Sequence, residues 1–96
     1  MRAEYDSRAD ALSIDLIVAE RWDRGEGVDP DFCTVSFAED RPANVELIGP
    51  REHIDLLARA AELYGLDGEA IEAAARSALA APDRVVVLDV LARAAH

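Results

Sequence analysis

Lysine is missing altogether, and cysteine, methionine and tryptophan occur once each in 96 residues. The single cysteine, Cys33, cannot close an intrachain disulfide, which points to a reducing cytoplasm. Positive charge is scarce. Ten arginines stand against twenty acidic residues, for a net charge of −10. Phosphate neutralisation dominates nucleic-acid affinity, so direct DNA or RNA binding would need a cationic patch, and none is visible along the chain. The same deficit argues against an anionic membrane surface and favours a basic protein partner. Long apolar runs are absent too. Arg2, Glu4 and Asp6 exclude the apolar core of a signal peptide at the start. The stretch Val85 to Leu91 is broken by Asp89 and is too short to span a bilayer.

What is present suits a folded chain. Hydrophobic residues make up 51% and charged residues 31%, which is globular composition and not that of a disordered segment. The length fits one domain over residues 1–96. A chain of this size buries only about 60–65% of its unfolded surface. A second subunit would therefore help it.

The first half alternates at period two. Residues 2–5 and 11–18 read as strands, with Leu12, Ile14, Leu16 and Val18 on one face of the second. Between them, Asp6 to Asp10 is turn material. Residues 19–31 read as irregular, broken by Gly25, Gly27 and Pro30, with a short strand around Arg21–Arg24. Residues 32–37 form a further strand, with Cys33, Val35 and Phe37 opposed to Phe32, Thr34 and Ser36. A connection over 38–43 leads to a strand at 44–48.

The second half changes to helical spacing. Pro50 or Arg51 begins a helix over about 51–64 carrying Ile54, Leu57, Ala58, Ala61 and Tyr64 on one face, and Gly65 stops it. Asp67 caps a second helix over about 68–81, with Leu66 and Ile71 placed as a hydrophobic staple. Pro82 ends it. The tail offers two readings. Asp83 can cap a helix running to Ala95, but Val85-Val86-Val87 is a β-branched run, and a strand over about 84–91 is the favoured one. The expected class is α+β: an antiparallel sheet of four or five strands from residues 1–49, two helices, and a terminal strand at the sheet edge or in a partner's sheet.

Tyr5-Asp6-Ser7-Arg8-Ala9-Asp10-Ala11-Leu12 resembles the N-terminal hallmark of the DUF2283 family of small bacterial and archaeal proteins. Tyr5, Asp6, Ala9, Asp10, Ala11 and Leu12 match its pattern. Phe32–Phe37, the Glu39-Asp40-Arg41 turn and Val45–Ile48 look like its later strand, turn and strand. The resemblance covers residues 1–49. The helices and the valine run stand outside it as an extension. It implies no activity, since the family's function is unassigned. Some members resemble antitoxins by genetic context, which implies an antitoxin-like role.

Candidate chemistry is thin. Asp6 and Asp10 could act as a carboxylate pair, but an exposed turn offers little desolvation to split their pKa values. They read as turn residues, with Tyr5 packed over the sheet. His53 lacks the second histidine of a helical zinc motif, since position 57 is Leu57, and reads as a half-exposed surface residue. Cys33, in a strand, reads as a buried structural thiol. Asp29-Pro30-Asp31 lacks the spacing of a calcium loop, and Gly25-Glu26-Gly27 is too short for a phosphate cradle. No cofactor or metal is expected. Trp22, with Arg21 and Asp23, is the candidate partner contact. The alanines of the second helix would either lie flat on the sheet or pack on a second copy, and with the valine strand they favour a homodimer.

Three functions follow as expectations. The first is a non-enzymatic, cytoplasmic protein-interaction module, antitoxin-like, that holds a basic partner. The second is a small-ligand binder with a pocket lined by Tyr64, Phe37 and Trp22. The third and weakest is an enzyme built on Asp6 and Asp10.

Overall fold

The computed structural model describes residues 1–88. Two hairpins start the chain. β1 (Arg2–Asp6) pairs with β2 (Ala11–Asp15), and β3 (Arg24–Asp29) pairs with β4 (Cys33–Ala38). β4 turns directly into β5 (Arg41–Ile48), which pairs with β2 and so joins the hairpins. β6 (Val85–Val87) returns to pair with β1. The sheet order is β3-β4-β5-β2-β1-β6, with every pair antiparallel. The fold is α+β, as the separation of strand and helix patterns along the chain predicts.

Alternation decides the layers. Ala3, Tyr5, Leu12, Ile14, Val35, Val45 and Leu47 point to one side and are buried. That side carries α1 (Pro50–His53), α2 (Asp55–Tyr64) and α3 (Gly68–Ala80). α2 lies over β3, β4 and β5, and α3 over β1, β2 and β6. Ala70, Ala74, Ala75 and Ala78 are all buried inside the chain, so their small side chains let α3 lie close on its own sheet. Packing of those four alanines on a second copy is thereby overturned. Asp67 caps α3 by accepting a bond from the Ala70 N–H at 3.1 Å, and Gly65 ends α2 at φ 65°. The other side of the sheet has no helix. Arg2, Glu4, Ser13, Asp15, Glu46, Thr34 and Ser36 share it. Among them Asn44 is buried, donating to Ser13 Oγ at 2.8 Å and Asp15 Oδ1 at 2.9 Å.

Several expected boundaries move. The strand expected over 11–18 stops at Asp15, because the Leu16 and Ile17 N–H groups both reach the single Ala43 carbonyl and the chain leaves the ladder there. Val18, expected to face inward, is 96% exposed. The short strand expected at Arg21–Arg24 lies instead at Arg24–Asp29, across the glycines read as breakers. The strand at 44–48 begins earlier, at Arg41, and carries Pro42 at a bulge opposite Phe37. The connecting turn is only Glu39-Asp40, both at positive φ (52° and 62°), the mirror-image geometry that suits a two-residue hairpin. The first helix is interrupted at Ile54, where the Leu57 N–H bonds three residues back in place of four. The terminal strand is present at Val85–Val87. A helix capped by Asp83 does not start there, since Val85–Val87 is strand, and residues 89–91 of the expected strand and 89–95 of the alternative helix lie outside the described residues.

Candidate functional site

Tyr5 to Leu12 build the first hairpin. Tyr5 is buried, and its hydroxyl donates to Asp10 Oδ1 at 2.6 Å, which raises the Tyr5 pKa above its ordinary value. The Arg51 guanidinium stands 5.3 Å from the Tyr5 ring centre. Asp6 Oδ1 accepts the Arg8 N–H at 3.0 Å and the Ala9 N–H at 3.2 Å, closing the turn. Asp10 takes a left-handed φ of 51°, and its carbonyl accepts the Gly49 N–H at 2.9 Å. Leu12 is fully buried and Ala11 partly so. Both carboxylates of the candidate pair thus already hold donors: Asp6 ties the turn and Asp10 ties Tyr5.

His53 is half-buried and more engaged than a surface residue. It stacks on Phe32 with ring centres 3.8 Å apart, and its Nδ1 lies 3.1 Å from the Ile48 carbonyl and 3.0 Å from that of Gly49. Two carbonyl acceptors require Nδ1 to carry the proton. Cys33 is buried on the helix side of β4, and burial pushes its thiol up to about 11, which keeps it un-ionised near neutrality. Asp29 Oδ1 caps the next turn, accepting the Asp31 N–H at 2.9 Å and the Phe32 N–H at 3.0 Å. Among the described residues, no group of three or more His, Cys, Asp or Glu could hold a metal ion.

Trp22 and its neighbours lead into the edge strand β3. Arg21, Trp22 and Asp23 are all exposed, Trp22 by 49%. Asp23 serves as a tie: its N–H donates to the Phe37 carbonyl at 2.7 Å, and its Oδ2 accepts the Glu39 N–H at 2.7 Å. β3 itself is exposed from Arg24 to Gly27, and among the described residues nothing pairs with its outer side. Its helix-side residues hold it to the body. The Arg24 guanidinium lies 4.3 Å over the Phe37 ring and pairs with Glu26 at 3.2 Å and Asp40 at 2.8 Å. The Tyr64 hydroxyl donates to Glu26 at 3.1 Å. The opposite face of β3 offers only Gly25 and Gly27, so bare backbone is presented there.

Acidic residues predominate in β3 and in the segments that lead into and out of the β3–β4 and β4–β5 turns. Glu20, Asp23, Glu26, Asp29, Asp31, Glu39 and Asp40 stand against Arg21, Arg24 and Arg41, seven against three. Glu20, Asp31 and Glu39 are exposed and make no ion pair among the described residues. Sequence reasoning missed the strand because it weighed the glycines as breakers. The signal that could have found it is the spacing of Arg24, Glu26 and Val28, which alternate with Gly25 and Gly27 at period two.

Among the described residues, Tyr64, Phe37 and Trp22, expected to share a pocket, do not line one cleft together. Phe37 and Tyr64 meet edge to face at 5.4 Å between ring centres, held in that contact beneath Arg24. Trp22 instead lines a cleft of about 440 Å³ with Met1, Arg2, Asp15, Leu16 and Arg21, where β1 begins and β2 ends. No helix among the described residues is long and apolar enough to cross a membrane. Compared with protein-family models, curated proteins and solved structures, the chain shows no match.

Proposed function

We propose that this chain is a non-enzymatic protein-interaction module whose β3 edge receives an extended, basic segment of a partner protein. The observation that carries the reading is a glycine-opened strand edge, unpaired among the described residues, in a stretch of chain with an excess of carboxylates. Strand addition supplies main-chain hydrogen bonds at such an edge. The surrounding charge supplies steering and sets the sign of the partner. Following the resemblance of residues 1–49 to DUF2283, the partner is a small basic toxin that this chain neutralises.

The test is a pull-down of tagged protein at moderate salt with mass spectrometry of the eluate. A titration of the purified pair follows, read by Trp22, the sole tryptophan, two residues before β3. A stoichiometric basic protein that shifts Trp22 emission, and that is released by E20K/D31K, supports the reading. A partner that binds E20K/D31K equally well sinks it. A second reading, a small-ligand binder, draws on the cleft beside Trp22 and Arg2. A ligand bound to the native state raises the melting temperature, so a metabolite panel in a thermal-shift assay tests it.

A further inference from the structure

At the edge opposite β3, the β6 strand is three valines long, and among the described residues no strand lies beyond it. Its register with β1 places Val87 opposite Arg2, Val86 opposite Ala3 and Val85 opposite Glu4. Ala3 is buried under α3, so Val86 shares the helix side, whereas Val85 and Val87 stand on the open face, 49% and 73% exposed. Large apolar side chains on an exposed edge are what monomeric proteins avoid.

The hydrogen bonds show which backbone groups are unused. The Leu88 N–H donates to the Met1 carbonyl at 2.8 Å, and the Met1 nitrogen donates to the Leu88 carbonyl at 3.2 Å. In an antiparallel ladder such exchanging couples alternate with non-bonded ones. Ala3 with Val86 is therefore the next exchanging couple. Val85 and Val87 turn their own N–H and C=O groups away from β1, toward the outer edge.

We propose that β6 is the seam of a homodimer, in which two copies pair antiparallel about a two-fold axis at Val86. Within Val85–Val87, this register alone matches both outward residues of each strand: Val85 faces the partner's Val87, Val87 faces the partner's Val85, and four backbone hydrogen bonds form. Within the same three residues, pairing Val85 with itself, or Val87 with itself, forms two. The side chains fit the same symmetry. Each row across the seam reads Glu4, Val85, then the partner's Val87 and the partner's Arg2, so an acid and a base flank every valine pair. The two-fold keeps both helix layers on one side of a continuous sheet. Such a self-complementary contact closes on itself and leaves β3 untouched at the two far edges. The occupant is a second copy because the patch complements itself in charge and in backbone parity.

The test uses the full chain in sedimentation at about 100 μM, where Kd in the micromolar range gives mostly dimer. Wild type is expected at twice 10.4 kDa. V85K/V87K places like charges directly opposite across the seam and is expected to sediment as a monomer. V85K/V87E places opposite charges there, beside Glu4 and Arg2 of the same chain, and is expected to stay dimeric with an unchanged circular-dichroism spectrum. Monomeric wild type overturns the proposal. So does a dimer that survives V85K/V87K, or one that V85K/V87E and V85K/V87K lose alike while both remain folded. If V85K/V87K fails to fold, a disulfide formed on oxidation between the copies of V85C/V87C, and absent from either single variant, keeps the register testable.

Discussion

At one edge of the sheet, β3 carries Arg24, Glu26 and two glycines, with carboxylates crowded at both of its ends. At the other, β6 carries three valines and no charge. Both are edge strands of one antiparallel sheet, and each has an outer side that is unpaired among the described residues. The carboxylates near β3 give two copies of that edge a like net charge, which disfavours their pairing. Valine leaves β6 open to its copy. The difference teaches that one sheet can end in two edges of opposite character, so on the two proposals above they should answer differently to the same perturbation.

The largest expected effect is the one that erases the comparison. Leu12 is fully buried at the middle of the sheet, opposite Tyr5 on one side and Leu47 on the other. Leu12→Ala is expected to cost about 3 kcal/mol of stability. If the sheet unfolds as one unit, urea midpoints from Trp22 emission, beside β3, and from far-ultraviolet dichroism fall together. Separate midpoints would show that the edges belong to independent units.

Ionic strength separates the edges. Raising salt from about 0.05 to about 0.5 M shortens screening several-fold. Binding of a basic segment at β3 is expected to weaken by at least about tenfold, since attraction is lost. Pairing at β6 is expected to tighten, because each copy carries a net charge of −10 and the repulsion between copies is screened. Titration by Trp22 emission and sedimentation across the same salt series measure the two. Parallel trends would mean that both processes use one surface.

Much of this architecture is legible in the residues, and what escapes has a physical cause. The Leu12/Ile14 alternation, the Asp67 cap and the Gly65 stop are local signals, and each stands where expected. β3 escapes because glycine propensity is weighed for an isolated strand, whereas here β4 on one side, the Arg24–Phe37 stack and the Tyr64–Glu26 bond hold it. Val18 continues an alternation that the sheet abandons, since the β5 bulge draws the Leu16 and Ile17 N–H groups onto one carbonyl. The charge around β3 can be counted in the sequence. The sheet edge is one of the two positions expected for the terminal strand, and β6 takes it, whereas the place of β3 at the far edge follows from the long-range order of pairings and is not a local signal.

The pH scale should release the two ends of the sheet from opposite sides. Cys33, on β4 beside β3, is raised by burial and by the nearby Asp29 from 9.0 to about 11. Folding holds the neutral thiol, so its contribution is whole below pH 9.0 and is lost as pH rises toward about 11. The expected loss is about 2 kcal/mol, seen in urea unfolding between these limits and flattened below pH 10 by Cys33→Ala. Asp83, where the chain enters β6, is lowered from 3.8 by the Ser7 hydroxyl at 2.6 Å and the Ser7 N–H at 2.9 Å. Its contribution is present above pH 3.8 and fades as pH falls through the lower native value. The Ser7 amide resonance is expected to titrate below 3.8, and a midpoint at or above that value would remove Asp83 as the clasp of β6.

The smallest effect is the most discriminating. Glu39 holds a φ of 52° in the two-residue turn between β4 and β5, a conformation that costs an ordinary side chain energy and that asparagine tolerates well. Its side chain is exposed and makes no ion pair among the described residues. Glu39→Asn is therefore expected to stabilise the fold by about 0.5 kcal/mol. It also removes one negative charge from the β3 end of the sheet, so the basic partner is expected to bind about two- to threefold more weakly at low salt. The dimer mass is expected to stay as it is, since Glu39 lies at the end of the sheet away from β6. Stability and binding moving in opposite directions would show that the carboxylates around β3 serve recognition at a cost to the fold. A rise in both would show that β3 gains from order alone, and that the charge there is solvent-facing decoration.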